Sequence, residues 1–276
     1  MYLFGEFPPL EDAGARLLSR FQPGAQNMAT TSTAAPHGET RLTSKLSTPF
    51  RKQADSFRLR REAEAMNYVQ SRTSIPVPSI LDMHLGVSDH DPGWILMERI
   101  PGRQLDEVWP IMTETARAQT ISELQSYLRQ LHRLRPPGSG WIGSCSGGPA
   151  YDHRLDNMST CGPFTSVAKF HDFIVGPVKN CPRPEWVAKY RNMLSDDYHV
   201  IFAHADLSWE NILLDPTTGF ITGIVDWEMA GFWPEWWEYR KALFGSRSRP
   251  WWIKILGQVM KEYRLETEVD MELEMF

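Results

Sequence analysis

Between Val200 and Val225 the chain places three short apolar runs, VIFA, ILL and ITGIV, with polar loops between them, and the last two are joined across PTTG. Runs of this length bounded by turn residues read as buried strands, and the PTTG connection reads as a hairpin. Such a hairpin brings the loops at its ends together. Those loops hold Asp206 and Asn211, five positions apart in DLSWEN, and Asp226, which follows the third run in GIVDWE. Taken singly, aspartates and asparagines in loops mostly make turns. Together, the three offer oxygen atoms at one end of a rigid support, where a hard cation and a reacting hydroxyl can be placed side by side. Magnesium takes one or two carboxylates with phosphate oxygens and water, so Asp226 with Asn211 fits a cation. Asp206 is then left to orient a hydroxyl and accept its proton.

Upstream, RREAEAMNYVQ over Arg60–Gln70 predicts a helix closed by TSIPVP, and WILMERI over Trp94–Ile100 predicts a buried strand ending in a Pro101-Gly102 turn. Apolar residues at Ile121, Leu124, Leu128 and Leu131 predict an amphipathic helix over 113–134. Two further helices are expected near 165–175 and 184–194, and a Trp-rich helix from Pro234 is expected to run into an acidic tail, LETEVDMELEMF. The segment 1–22 has room for one short helix, and 23–47 is poor in large apolar residues and reads as linker, with 23–37 expected to be poorly ordered. The order predicts an α+β chain of two lobes: an extension over 1–37, a small β-rich N-lobe over 38–97, and a larger, mainly helical C-lobe over 98–276.

Partners are narrowed by charge and composition. A formal net charge of -5 argues against nucleic acid and would not repel a cationic small molecule. Three cysteines without C-x-x-C spacing suggest neither a disulfide framework nor zinc. No stretch is long and apolar enough to cross a bilayer, so no membrane partner and a cytoplasmic location are expected.

HADLSWENILLD and ITGIVDWEMAGFWPEWWEY resemble the H-G-D-x-x-x-x-N-I-L-x-D and I-x-G-I-I-D-W-E-x-A-G-x-x-P-x-x-W-E-Y motifs of the aminoglycoside phosphotransferase and choline kinase superfamily, in the form of its fungal-type phosphotransferase branch. TSIPVP, MERIPG and PPGSGWIG resemble stretches between those motifs. The resemblance implies a bilobal, protein-kinase-like fold and an ATP- and Mg2+-dependent transfer of phosphate to a hydroxyl of an amino sugar or amino alcohol. It implies that Asp206 is the catalytic base, that His204 braces its loop, and that Asn211 and Asp226 hold magnesium. It also calls for a strand lysine on the phosphates and a helix glutamate to hold it. Glu62 fits the glutamate. Lys52 is the best lysine by spacing, although Pro49, Arg51 and Gln53 make a poor buried strand; Lys45 is the fallback. Met97, Glu98, Arg99 and Ile100 correspond to the hinge that receives adenine through its backbone.

Ala205 stands where the motif has glycine, which matters if that position needs a positive φ. No glycine-rich phosphate loop precedes Lys52, and GSGWIG at 138–143 follows a helix and two prolines, so it reads as a structural turn. Trp233, Trp236, Trp237, Trp251 and Trp252 divide between an amine-binding cage and core packing, with packing the simpler reading. Glu238 is expected to support the catalytic loop from below, and Glu228 is open between a role behind the site and a place on the surface. Two rival functions remain: a nucleotide-binding or inactive pseudokinase-like module, and a protein kinase.

Overall fold

The computed structural model describes residues 48–87, 91–155, 160–180, 185–244 and 249–275. The expected extension over 1–37, the expected helix within 1–22, Lys45 and Cys181 lie outside the described residues.

The first described strand, β1 (Phe50–Gln53), has one apolar residue, Phe50, which is exposed; only Lys52 on it is half-buried. It forms because its partner is apolar: β3 (Trp94–Met97) buries Ile95 and Met97, and pairs antiparallel with β1 so that Lys52 lies opposite Ile95. β2 (Ile80–His84) pairs with the other edge of β3, giving the order β1-β3-β2. Helix α1 (Ser56–Gln70) begins four residues before the expected start. Asp55 accounts for the difference: its side chain accepts the Arg58 N–H at 2.9 Å and caps the helix. Leu59, Ala63, Met66 and Val69 fall on one face at helical spacing and are buried.

Past β3 the chain runs through exposed Glu98 and Arg99 to Gly102, whose φ of +126° is open to glycine and not to other residues. A short strand, β4 (Arg103–Gln104), then a helix, α2 (Leu105–Val108), lead to α3 (Glu114–Leu131), capped by Thr113. α3 buries Leu124, Leu128 and Leu131, and its Thr120 donates to the Gly219 carbonyl at 2.8 Å, tying it to the hairpin turn. The GSGWIG segment is a turn whose Ile142 and Gly143 bridge Phe164 and Phe232. A two-residue pair of strands, β5 (Ala150–Tyr151) and β6 (Thr160–Cys161), precedes α4 (Val167–Ile174) and α5 (Glu185–Met193).

The three apolar runs are strands, but they do not form one sheet. β7 (Val200–Ala203) pairs with β10 (Gly231–Pro234), while β8 (Ile212–Leu214) and β9 (Ile221–Ile224) form the hairpin, with β4 on the outer edge of β8. Gly223 in β9 is required by close approach, since a Cβ there would lie 2.7 Å from Ile100 Cγ2. α6 (Glu235–Leu243) follows β10 directly, and α7 (Pro250–Val259) packs against α3.

The acidic tail forms a helix, α8 (Arg264–Leu273). Its Asp270 is buried and receives Arg240 Nε at 2.7 Å and Arg154 Nη1 at 2.9 Å. Trp233, Trp236, Trp237 and Trp252 have no exposed surface, and Trp233 stacks on Trp237 with centroids 5.2 Å apart. These four are core residues. Trp251 is half-buried and stacks on Trp109 at 5.9 Å.

Candidate active site

The loop from β7 to β8 turns sharply at Ala205, whose φ is +60°. Two groups hold it there. From α6 below, Glu238 Oε2 accepts the backbone N–H groups of His204 at 2.5 Å and Ala205 at 3.4 Å. From within the loop, His204 Nδ1 accepts the Asp206 N–H at 3.2 Å, and the opposite nitrogen, Nε2, donates to the Val225 carbonyl at 3.0 Å. One neutral imidazole therefore ties the loop carrying Asp206 to the strand end carrying Asp226. Burial keeps that ring uncharged by pushing its pKa down to about 4, against the pull of Asp226.

Asn211 adds a second tie. Its Nδ2 donates to the Asp206 carbonyl at 2.8 Å and to Asp206 Oδ2 at 3.3 Å, and its own carbonyl accepts the Val225 N–H at 3.0 Å. Asp206, Asn211 and Asp226 are thus brought to one end of the β8–β9 hairpin. Burial pushes the Asp206 carboxyl up to about 6; Lys241 opposes the shift, and Asp226 and Asp152 add to it. It remains mostly ionised at neutral pH, at a value suited to accepting a proton. Behind it, Lys241 and Asp152 form an ion pair at 3.0 Å with no exposed surface on either side chain.

Lys52 reaches from β1 to the same place. Its Nζ lies 2.7 Å from Glu62 Oε2, 2.7 Å from Asp226 Oδ1 and 3.3 Å from Glu228 Oε2. Burial alone works against the ammonium, and the three carboxylates outweigh it, so Lys52 sits above its ordinary value and stays charged. Glu62 is 2% exposed and Asp226 is 38% exposed, so the pair to Glu62 is internal while Asp226 faces outward. Asp226, like Ala205, is left-handed, with a φ of +67°. A non-glycine residue held there is a strained feature of the kind found at functional turns.

The oxygen atoms of Glu62, Asp226 and Glu228 lie within 4.8 Å of one another, a donor set of hard oxygens that fits Mg2+. Asn211, expected beside Asp226, is adjacent through the Val225 hydrogen bond and also serves the Asp206 loop. Glu228 is buried in the cluster and not on the surface. Sequence reasoning left it open, and it passed over Arg58, whose Nη2 lies 2.6 Å from Glu228 Oε1. One signal was available: Arg58 is one helical turn before Glu62, hence on the same face of α1.

The hinge residues lie apart from these ion pairs. Register puts Met97 opposite Phe50, two positions along from the Lys52–Ile95 pair. The Glu98 N–H donates to the Ser79 carbonyl at 2.8 Å, and Arg99 Nε donates to the Thr48 carbonyl at 2.9 Å. Ile100 packs over Gly223.

Residues 39–271 match the family described as "Phosphotransferase enzyme family". Among curated proteins, the chain is 25% identical over 180 residues to an aminoglycoside 3'-phosphotransferase of Streptomyces ribosidificus, covering 64% of this chain and 62% of that one. It is 25% identical over 204 residues to an aminoglycoside 3'-phosphotransferase of Streptomyces fradiae, covering 70% and 66%. The chain therefore spans a little under two thirds of the length of these relatives. Among solved structures it is similar to the aminoglycoside phosphotransferase APH(3'')-Id of Streptomyces rimosus, with a TM-score of 0.51, 15% identity, and coverage of 82% of this chain and 85% of that one. It is also similar to a thermostable aminoglycoside phosphotransferase APH(4)-Ia in a ternary complex with ADP and hygromycin B, with a TM-score of 0.52, 18% identity, and coverage of 80% and 74%. The fold is the bilobal kinase-like fold of these neighbours, with a small β-rich portion ahead of a larger helical one.

Proposed function

This chain belongs to the phosphotransferase enzyme family, and from that premise we propose that it moves the γ-phosphoryl group of ATP to a hydroxyl of a small molecule of the amino sugar or amino alcohol class. The observation that carries the reading is the Lys52 ammonium at 2.7 Å from both Glu62 and Asp226, because it supplies a fixed cation for phosphate oxygens beside an outward-facing carboxylate. The relation to the two curated aminoglycoside phosphotransferases, and the hygromycin B held by one structural neighbour, support a cationic acceptor. The D-W-E-x-A-G-x-x-P-x-x-W-E-Y form supports the fungal-type branch within the family.

In this mechanism the acceptor hydroxyl gives its proton to the Asp206 carboxylate as its oxygen bonds to the γ-phosphorus, and the bond from that phosphorus to the bridging oxygen of ADP breaks. Asp226 and Asn211, with Glu228 nearby, would hold Mg2+, which neutralises phosphate charge when bound. Lys52 would bind the α- and β-phosphates and Glu62 would aim it. His204 and Glu238 fix the backbone from which Asp206 projects. Because the transition state is loose, most of the rate gain comes from positioning and charge neutralisation. The domain boundaries at 37 and 97, and adenine at the backbone of 97–100, complete the proposal.

The test is thermal unfolding with and without Mg-ATP, beside ADP release in the presence of hygromycin B or streptomycin. At about 100 times its dissociation constant, Mg-ATP should stabilise the protein by roughly 2.7 kcal/mol. Asp226→Ala should lose that shift. Asp206→Asn should keep it and lose turnover by about a hundredfold or more. No shift for the native protein at millimolar nucleotide would overturn the proposal and favour a module that does not bind nucleotide.

A further inference from the structure

Glu228 is contacted by more cations than any catalytic step requires. Its Oε1 receives Arg58 Nη2 at 2.6 Å and Arg58 Nε at 3.2 Å, its Oε2 receives Lys52 Nζ at 3.3 Å, and its backbone carbonyl receives Arg61 Nε at 3.4 Å. Arg61 in turn donates to the Pro149 carbonyl at 2.7 Å. Three cationic side chains from β1 and α1 therefore close on one residue, two positions past Asp226. The Glu228 side chain is 7% exposed, and that of Arg58 is 37% exposed, so Arg58 covers Glu228 from the solvent side.

We infer that Arg58 is a positioning residue: it holds the Glu228 carboxylate against α1 and limits its reach to a divalent cation beside Asp226. Charge balance supports this. Three carboxylates, Glu62, Asp226 and Glu228, stand against two cations, Lys52 and Arg58. Lys52 divides one positive charge among all three, whereas Arg58 pairs with Glu228 alone among them; its other partner is the exposed Asp55, 3.8 Å away. It leaves Asp226 as the outward-facing carboxylate of the cluster. Without Arg58, two carboxylates two residues apart would be open to the same ion, and the cluster would collect bare metal in a geometry unrelated to the phosphates. Arg58 also joins the helix that carries Glu62 to the segment that carries Asp226, so the two halves of the nucleotide site keep a common register. The consequence for turnover rests on the phosphotransferase reading; the ion-pair consequence does not.

The experiment is Mn2+ binding without nucleotide, followed by electron paramagnetic resonance of the free ion, on the native protein, Arg58→Gln, Arg58→Lys and the double variant Arg58→Gln with Glu228→Gln. Removing one positive charge a few ångströms from the ion should tighten Mn2+ binding in Arg58→Gln by about fivefold or more. Arg58→Lys keeps the charge without the paired donors and should fall between the two, and it carries the test should Arg58→Gln fail to fold. The double variant should return to the native affinity. Mn2+ binding by a folded Arg58→Gln at native strength overturns the inference, as does a gain that persists once Glu228 is neutral. A native protein that neither binds Mg-ATP nor turns over sinks the phosphotransferase reading, while the Mn2+ comparison still decides the role of Arg58.

Discussion

Asp206 stood out in the sequence through its spacing to Asn211 together with the apolar runs and Asp226 that follow; the state of its carboxyl did not, because it depends on burial and on charges that arrive from α6 and from Asp152. With the carboxyl at about 6, turnover should fall as pH drops through 6, following one proton, because the protonated acid cannot accept the hydroxyl proton. A pH profile of turnover per KM in the acid range checks this. A profile that stays flat down to pH 5 would remove Asp206 as the base. Ala205 carries a second expectation. An alanine at φ +60° bears about 1 kcal/mol of backbone strain, and glycine there relieves it at the loss of one buried methyl, so Ala205→Gly should leave stability unchanged or raise it by less than about 1 kcal/mol. Ala205→Val should cost about 2 kcal/mol or more, since a β-branched residue tolerates that region least. Denaturant midpoints for the two variants give the comparison. The departure from glycine could be seen in the sequence, but its meaning needed the dihedral angle. Glu228 and Arg58 were less legible still, since an ion pair between positions 58 and 228 leaves no local pattern.

Helices and strands were legible where their own side chains drive burial. α3, the β8–β9 hairpin and the Trp-rich α6 announce themselves by apolar periodicity, and the structure places them within a few residues of the expected limits. β1 and α8 show the limit of that approach. β1 is a strand because β3 offers it a pairing edge, so its own polar residues carry no signal apart from the lysine. α8 is read only as an acidic tail because its carboxylates mask its apolar spacing, yet Asp270 is buried between Arg154 and Arg240, and Glu274 bonds to both. Those arginines lie far away in sequence, 116 and 30 positions from Asp270, which is why the pairing is invisible before folding. Removing the carboxylate while leaving two buried guanidinium groups should be costly. Asp270→Ala is expected to destabilise the protein by about 3–5 kcal/mol, and to lower the unfolding midpoint by about 6–15 °C. A loss below about 1 kcal/mol would mean that α8 is held by its apolar residues alone, and calorimetry distinguishes the two.

Proton uptake joins these parts in the stability of the whole molecule. His204 is held neutral down to about 4, and burial also lowers His132, His153 and His171 below their ordinary values. Each histidine binds a proton in the unfolded chain at a pH where the folded one does not, so each withdraws stability as pH falls below about 6.5. Glu238 and Glu62 act in the opposite sense: burial pushes each carboxyl up to about 7, so the folded protein takes up a proton first and gains stability as pH falls from about 7 towards 4.5. Asp206, at about 6, assists them over a narrower range. Four histidines and three carboxyls therefore pull in opposite directions between about pH 7 and 5. The unfolding midpoint should stay nearly level across that range, unlike the acid-side decline that the histidines alone would give. Glu238→Gln removes one of the opposing protons while its side-chain oxygen can still accept from His204 and Ala205, so a decline towards acid should emerge in that variant. An unchanged slope would mean that Glu238 is already protonated across the range, or that its proton is not linked to folding. Either outcome separates the part of α6 that supports the loop by geometry from the part that does so by charge.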